Sequence, residues 1–163
     1  MPATPVPARR TARIAGATAL AALAVAVAGC TPIVPLQAAP GASDVGCAEV
    51  VVLLPDAVAE QPRRETDAQG TAAWGDPASV ILHCGVDPIG PTTLTCASVN
   101  GVDWVIDDTE APNYRLTSYG REPAVEVFLD SDVVASSTVM ADLALAVSRI
   151  PQTRKCTAAG TAG

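Results

Sequence analysis

The first helical pattern in the chain follows a segment rich in proline and alanine. Its apolar residues recur at i, i+3, i+4 and i+7, the spacing of one helix face, at Cys47, Val50, Val51 and Leu54. Ser43 or Asp44 can cap the start of this helix, and Pro55 ends it. The pattern predicts a short helix that packs one face against a core.

A second helical pattern lies near the C-terminus. Between residues 133 and 150, apolar side chains gather on one helix face at Val139, Leu143, Ala146 and Ile150. Arg149 suits the last turn, because a cation is stabilised near the negative end of the helix dipole, and Pro151 follows as a stop. We expect this helix to close the domain.

Between the two helices the pattern changes to the period of two that is typical of strands. The alternating runs are SVILHC (79–84), TCASVNGVDWVID (95–107), YRLTSYG (114–120) and AVEVFL (124–129). Asn100-Gly101 is the favoured pair for a tight type I′ hairpin turn. We therefore predict an antiparallel sheet of about four or five strands with the two helices on one face, an α+β fold.

The stretch 59–77 has no period and contains several residues that interrupt regular structure. We expect a surface loop there that carries Arg63, Arg64 and Trp74.

The N-terminus has the layout of a secretory signal. Three arginines and no acidic residue precede fifteen residues, 14–28, whose only polar side chain is Thr18. The motif VAGC (27–30) resembles the lipobox of bacterial lipoproteins, in which the cysteine is acylated. We predict a signal peptide over residues 1–29 and a lipidated Cys30 at the extracytoplasmic face of the membrane. Secretion after ordinary cleavage and retention as a single-span membrane helix are the alternatives.

The rest of the chain divides into three parts. Residues 31–46 mix proline, glycine and alanine without a period, so we expect a flexible tether after Cys30. Residues 47–156 have the length of one small domain. Residues 157–163 are all small, and we expect a disordered tail.

The chain is acidic once its signal is removed. The three arginines of the signal leave seven basic and seventeen acidic residues, a formal charge of −10. Nucleic acid is not an expected partner, since phosphate binding needs a basic surface. The partners we expect are the membrane, through acylated Cys30, and envelope proteins.

Four further cysteines predict two disulfides in an exported protein. We favour Cys84–Cys96, which flank a turn-rich segment, with Cys47–Cys156, which join the ends of the domain; the other two pairings stay open. Metal binding is the competing interpretation, but there is no C-x-x-C and only one histidine, His83. We predict no metal and no cofactor, and we expect His83 to be a partly exposed sheet residue.

The densest acidic stretch contains Asp103, Asp107, Asp108 and Glu110. Two carboxylates about 5 to 10 Å apart could act as acid and base on an envelope polymer. Acidic loops also bind calcium, but the spacing of a calcium loop is missing, and a solvated turn explains the charges. Since there is neither a G-x-S-x-G motif nor a second histidine, we predict no catalytic residue.

The scarce aromatic residues allow two interpretations. Residue types enriched at recognition surfaces form a candidate binding surface of Trp74, Trp104, Tyr119 and Arg121. The same aromatic side chains are needed for the core of a domain with so few of them, and we favour the core.

Four motifs, in this order, resemble a known family: CAEVVVLLP (47–55), AAWGDPASVILHCGV (72–86), CASVNGVDW (96–104) and YGREPAVEVFL (119–129), before a helix and a last cysteine. The family is domain of unknown function 3515, uncharacterised exported proteins of high-GC Gram-positive bacteria. The resemblance covers residues 47–156 and implies a disulfide-containing α+β domain behind a signal or lipoprotein leader. It implies no activity, cofactor or catalytic residue.

The sequence as a whole predicts an envelope lipoprotein that acts as a non-enzymatic binding or assembly module. A hydrolase or transferase that acts on envelope polymers through acidic residues is the alternative.

Overall fold

A computed structural model describes residues 32–157 of the chain. The predicted signal peptide, Cys30 and the predicted tail from residue 158 onward lie outside these residues. The elements are α1 (Val45–Val52), β1 (Ala57–Val58), β2 (Gln61–Arg64), β3 (Thr71–Trp74), β4 (Val80–Val86), β5 (Thr95–Val99), β6 (Val102–Glu110), β7 (Asn113–Ser118), β8 (Ala124–Asp130) and α2 (Ser136–Val147). Within the described range, neither helix is long and apolar enough to span a bilayer.

All the strands belong to one antiparallel sheet of eight strands, in the order β1-β2-β3-β4-β8-β7-β6-β5. Strands β1 to β4 form one meander and β5 to β8 form another, and the two meanders join where β4 pairs with β8. Asn100 and Gly101 have φ values of 48° and 82°, as a type I′ turn requires, so the predicted hairpin is confirmed. The predicted α+β class is confirmed as well.

The sheet has more strands than the four or five predicted, because the stretch 59–77 is not a surface loop. It contains β2 and β3, which pair with Arg63 opposite Trp74. All four residues of β3 are buried, so the strand is covered on both faces. A strand buried on both faces shows no alternation of polar and apolar residues, and the sequence pattern therefore missed it.

Both helices pack on the same face of the sheet. Asp44 caps α1, since its side chain accepts the N–H of Gly46 at 2.8 Å, and Cys47 and Val50 are fully buried. The predicted face of the last helix is confirmed, because all four of its residues are buried: Val139, Leu143, Ala146 and Ile150. The two helices and the sheet enclose a single core that includes both tryptophans.

The four cysteines form two disulfides, but the favoured pairing was wrong. The bonds join Cys47 to Cys84 and Cys96 to Cys156. Cys84 is on β4 and Cys96 is on β5, four strand positions apart in the sheet, which corresponds to about 19 Å at ~4.8 Å per strand. A disulfide requires Cα atoms within about 7 Å, so the turn-rich segment between these two cysteines does not bring them together.

Residues 32–44, here termed the N-terminal segment, were expected to be part of a flexible tether but lie against the domain. Val34 forms a parallel bridge with Thr66, and the N–H of Gly41 donates to the carbonyl oxygen of Gly85 at 2.8 Å. These contacts use backbone groups, so they leave no hydrophobic period in the sequence. Residues 151–157, the C-terminal segment, are similarly attached, with Arg121 bridged to Gln152.

Candidate functional site

The face of the sheet that points away from the helices carries polar and aromatic side chains. Side chains alternate between the faces of a strand, so Val80, Leu82 and Cys84 point to the helices while Ile81 and His83 point the other way. The strand register places four further residues on that same face, namely Glu126, Phe128, Arg115 and Asp107. These six residues are termed the open face.

The two terminal segments border the open face. On the β2 side, Nη2 of Arg64 donates to the carbonyl oxygen of Pro32 at 2.8 Å, and Ala73, the register partner of Arg64, is fully buried. On the β5 side, the Cys96–Cys156 disulfide holds the C-terminal segment to the sheet. The open face lies on β4, β8, β7 and β6, between these two segments.

Phe128 is the centre of the open face. Its ring centroid lies 6.0 Å from that of His83 in an edge-to-face arrangement and 5.0 Å from Cζ of Arg115. Nε of Arg115 lies 3.7 Å from Oε2 of Glu126, which is paired with His83 in the register. These contacts hold an aromatic ring and a guanidinium in one place, and these groups contribute strongly to protein–protein binding.

His83 is the one histidine of the chain, and it is partly exposed, as predicted. Burial lowers the pKa of His83 below its ordinary value, and the carboxylate of Glu126 acts in the opposite direction without reversing the shift. The imidazole is therefore neutral at pH 7. Its Nδ1 is buried and has no hydrogen-bond partner among residues 32–157.

A shallow depression adjoins the open face at the turn between β6 and β7. It has a volume of about 60 Å³ and is lined by Asp107, Thr109, Glu110, Asn113, Tyr114, Arg115 and Phe128. Hydrogen bonds from the hydroxyl and the backbone N–H of Thr109 hold the pKa of Asp107 below its ordinary value. Pockets for small molecules usually measure about 300 to 1,000 Å³, so this depression fits at most a side chain or a few waters.

The structure does not form the candidate binding surface that the aromatic residues outlined. Trp74 and Trp104 are fully buried and Arg121 is 4% exposed, which agrees with the core interpretation. Arg121 donates hydrogen bonds to the carbonyl oxygens of Ile150 and Gly101. Tyr119 is partly exposed and lies on the surface beside the C-terminal segment.

The acidic residues are not gathered into one site. Asp103 is 6% exposed and accepts hydrogen bonds from Nε2 of Gln152 at 2.9 Å and from the N–H of Cys156 at 2.8 Å. Asp107 is four residues further along the same strand, which separates the two by about 13 Å at ~3.3 Å per residue. Asp108 follows where the register of β6 with β7 becomes irregular, and its side chain is exposed. Asp103 and Asp107 therefore do not form a pair of carboxylates at the spacing of a glycosidase.

Burial acts to raise the pKa of Asp103, but hydrogen bonds from Cys156, Ser98 and Gln152 outweigh it and hold this pKa below its ordinary value. The carboxylate is thus ionised at neutral pH and serves as an acceptor for the C-terminal segment.

Sequence reasoning missed three residues of the open face: Arg115, Glu126 and Phe128. Each was inside a predicted strand, at a position that alternates with apolar neighbours, and this alternation was the available signal. Their assembly with His83 depends on the pairing of β4, β8 and β7, which the sequence pattern does not specify. Within residues 32–157, no group of three or more His, Cys, Asp and Glu side chains is arranged to hold a metal ion.

Comparison with known proteins identifies a single family. The family described as "Protein of unknown function (DUF3515)" matches residues 10–156. No curated protein matches the chain, and no solved structure matches it. The match extends beyond the folded domain into the N-terminal region that precedes Cys30.

Proposed function

The chain belongs to the DUF3515 family, and we propose that it is an extracytoplasmic binding module, anchored to the membrane through acylated Cys30, whose open face binds an envelope protein. The observation that carries the proposal is the open face itself: a preorganised cluster in which the Arg115 guanidinium is exposed and the Phe128 ring and the Glu126 carboxylate are partly exposed beside it.

The disulfides support the location. All four cysteines of the domain are paired, and such bonds persist in oxidising compartments and are rare in the cytosol. The arginine-rich start and the apolar run that ends at Cys30 supply the export signal and the attachment point. Two or more acyl chains hold a protein stably on a bilayer, whereas one chain binds only marginally.

The chemistry of the open face supports a protein as the partner. Arg115 is exposed, and Glu126 and Asp107 place negative charge on either side of it, so the surface offers both signs of charge around the Phe128 ring. Such a mixture favours a polypeptide with complementary charges and an apolar side chain at its centre. It also opposes a flat anionic surface such as lipid headgroups.

Hydrolysis by paired carboxylates has less support. Asp103, one of the acids that this hypothesis requires, accepts two hydrogen bonds from the C-terminal segment and is buried. Its charge serves the fold.

Site-specific photo-cross-linking in intact cells tests the proposal. A photoreactive amino acid at Ile81, which keeps the side chains of Arg115, Glu126 and Phe128 in place, should give a defined cross-link to one or a few envelope proteins. The same amino acid at Leu145, which is 69% exposed on the helix side, is the matched control and should not give that product. Adding Phe128→Ala and Glu126→Lys to the variant that carries the probe at Ile81 should abolish the cross-link.

Two results would count against the proposal. One is an identical set of products from the open face and from Leu145. The other is a product that survives both substitutions at Phe128 and Glu126, since the open face would then contribute nothing to recognition.

A further inference from the structure

The outer edge of β5 is a second interaction surface, distinct from the open face and independent of acylation at Cys30. We propose that this edge binds an extended segment of a partner protein that carries acidic side chains, which pairs with β5 as a ninth strand of the sheet. Addition of a strand to a free edge is an established mode of peptide recognition, in which backbone hydrogen bonds supply affinity and side chains supply specificity.

The free backbone groups of the edge follow from the hairpin register. A two-residue turn makes Val99 and Val102 a hydrogen-bonded pair, and bonded and non-bonded pairs then alternate along the ladder. Cys96 and Ser98 are therefore in non-bonded pairs, and their N–H and C=O groups point away from β6. No backbone group among residues 32–157 forms a hydrogen bond to them.

The two edges of the sheet differ in protection. At the opposite edge, β1 has only two residues, and the chain just beyond it is capped by α2, since Asp142 accepts the N–H of Ala59 at 2.8 Å. By contrast, β5 has five residues, TCASV, with no charge and no proline. Natural proteins usually protect a free edge with charged residues or proline, so an edge that lacks both is suited to pairing.

The charges around β5 specify the partner. Arg154 and Lys155 are exposed, and they directly precede Cys156, which is bonded to Cys96, the second residue of the strand. Lys155 is close enough to Asp103, the register partner of Ser98, to lower the pKa of that carboxyl, and the guanidinium of Arg154 lies over the Tyr119 ring, so both cations lie on the face of the sheet next to the β5 edge. A second copy of the chain carries the same net negative charge, which opposes self-pairing, whereas a short acidic segment brings little further charge and meets the basic side chains directly.

The acidic side chains should lie at one end of the partner strand. Thr95, at the other end of β5, pairs with Ile106, and β6 continues past it to Asp108 and Glu110. Those carboxylates repel negative charge at that end. The surface thus favours a strand that is acidic near Lys155 and neutral near Thr95.

Amide hydrogen exchange on the purified full-length protein tests the inference. The probe is a short peptide of alternating threonine and valine that begins with two glutamates, and the matched peptide begins with two lysines. The glutamate peptide should slow exchange at the amides of Cys96 and Ser98 by at least about tenfold, because these groups become hydrogen-bonded. The lysine peptide should have little effect.

Two variants separate strand pairing from other binding. Ser98→Pro removes one outward N–H without removing a hydrogen bond of the sheet, because proline is tolerated at an edge, and it should abolish the protection. Ser98→Ala loses the same hydroxyl and should bind as the unmodified protein does. In the double variant Arg154→Glu with Lys155→Glu, the lysine peptide should protect the edge more than the glutamate peptide does. This second test does not depend on whether Ser98→Pro folds.

Three outcomes would overturn the inference. They are unchanged exchange at Cys96 and Ser98 with the glutamate peptide, equal protection by both peptides, and protection that rises with protein concentration in the absence of peptide. The last outcome would identify a second copy of the chain as the occupant of the edge.

Discussion

The backbone N–H of Cys156 donates a hydrogen bond to the carboxylate of Asp103 at 2.8 Å. Nε2 of Gln152 donates to the same carboxylate, and the disulfide to Cys96 lies one strand away. The C-terminal segment is therefore fixed at three points to the strands that form one end of the sheet. An acidic residue that the sequence presented as a candidate for catalysis is an anchor for the end of the domain.

Asp103→Asn should destabilise the domain. The substitution keeps the shape of the side chain but replaces the two charge-assisted hydrogen bonds, which both end at Oδ2, with weaker neutral ones, so we expect a loss of about 2 kcal/mol in the free energy of unfolding. Urea denaturation measures it. Asp107→Asn is the control and should change stability little. Equal stability of the Asp103 variant and the unmodified protein would show that the carboxylate does not anchor the C-terminal segment.

The two disulfides should differ in their response to a reductant. Cys47 and Cys84 are fully buried, whereas Cys96 and Cys156 are partly exposed, and attack by a thiolate needs access to sulfur. Brief treatment with a mild reductant, followed by alkylation and peptide mass spectrometry, should label Cys96 and Cys156 first. Labelling of Cys47 and Cys84 at the same rate in the folded protein would contradict the burial of that bond.

Removal of the outer disulfide should lower stability without abolishing the fold. The Cys96–Cys156 bond closes a loop of 60 residues, and on the chain-entropy model its loss costs about 4 kcal/mol. The double variant Cys96→Ser with Cys156→Ser should therefore unfold at a lower urea concentration and retain its far-UV circular dichroism. An unchanged midpoint would indicate that the unfolded chain is not restrained by this bond.

The stability of the domain should fall as the pH decreases from 7 toward 5. Because burial lowers the pKa of His83, the unfolded chain binds a proton to this residue at a higher pH than the folded domain does. Stability is thus complete above the ordinary histidine pKa of about 6.5 and decreases as the pH falls from there through the lower pKa of the folded state.

His83→Asn removes this titration and should flatten the stability profile between pH 7 and 5. Thermal unfolding at a series of pH values measures the difference. The low pKa of Asp103 makes a separate contribution to the stability of the domain. This contribution is complete above the ordinary pKa of the carboxyl and is lost as the pH falls through the lower pKa of the folded state. If the His83 variant lost stability over the same range as the unmodified protein, the effect would not come from this imidazole.

Gly85→Ala should displace the N-terminal segment. Gly85 has φ of +97°, and a Cβ at this position would overlap the backbone of Gly41 and Ala42. We expect a loss of at least about 3 kcal/mol, from backbone strain and from this overlap. Gly101→Ala is the matched control, because its φ is also positive but open space surrounds its Cβ, so it should lose only about 1 to 2 kcal/mol. Equal losses in the two variants would indicate that the segment does not pack against β4.

Local patterns in the sequence were sufficient for much of the fold. The alternating runs of β4, β6, β7 and β8, the Asn100-Gly101 turn and the apolar face of α2 all reflect contacts that one element makes with a single core. Strands β2 and β3 gave no such signal, since Arg64 is buried through hydrogen bonds to the carbonyl oxygens of Gly75 and Pro32. A buried arginine that donates to backbone carbonyl oxygens looks like a surface residue in a sequence.

The disulfide pairing and the candidate site depended on information that a single sequence does not contain. Cys84 and Cys96 are near in sequence, but the chain crosses from the middle of the sheet to its far edge between them. The open face arises for the same reason, because Glu126 becomes the neighbour of His83 only through the pairing of β8 with β4. Long-range strand order is set by the packing of the whole sheet, which local periodicity does not encode.

The intact mass of the protein isolated from membranes, with a peptide map made without reductant, tests the central claim most directly. The account predicts a chain that begins at Cys30 and carries a diacylglyceryl group, with Cys47 linked to Cys84 and Cys96 linked to Cys156. A chain that retains residues 1–29 and has five free thiols in the cytosol would contradict it.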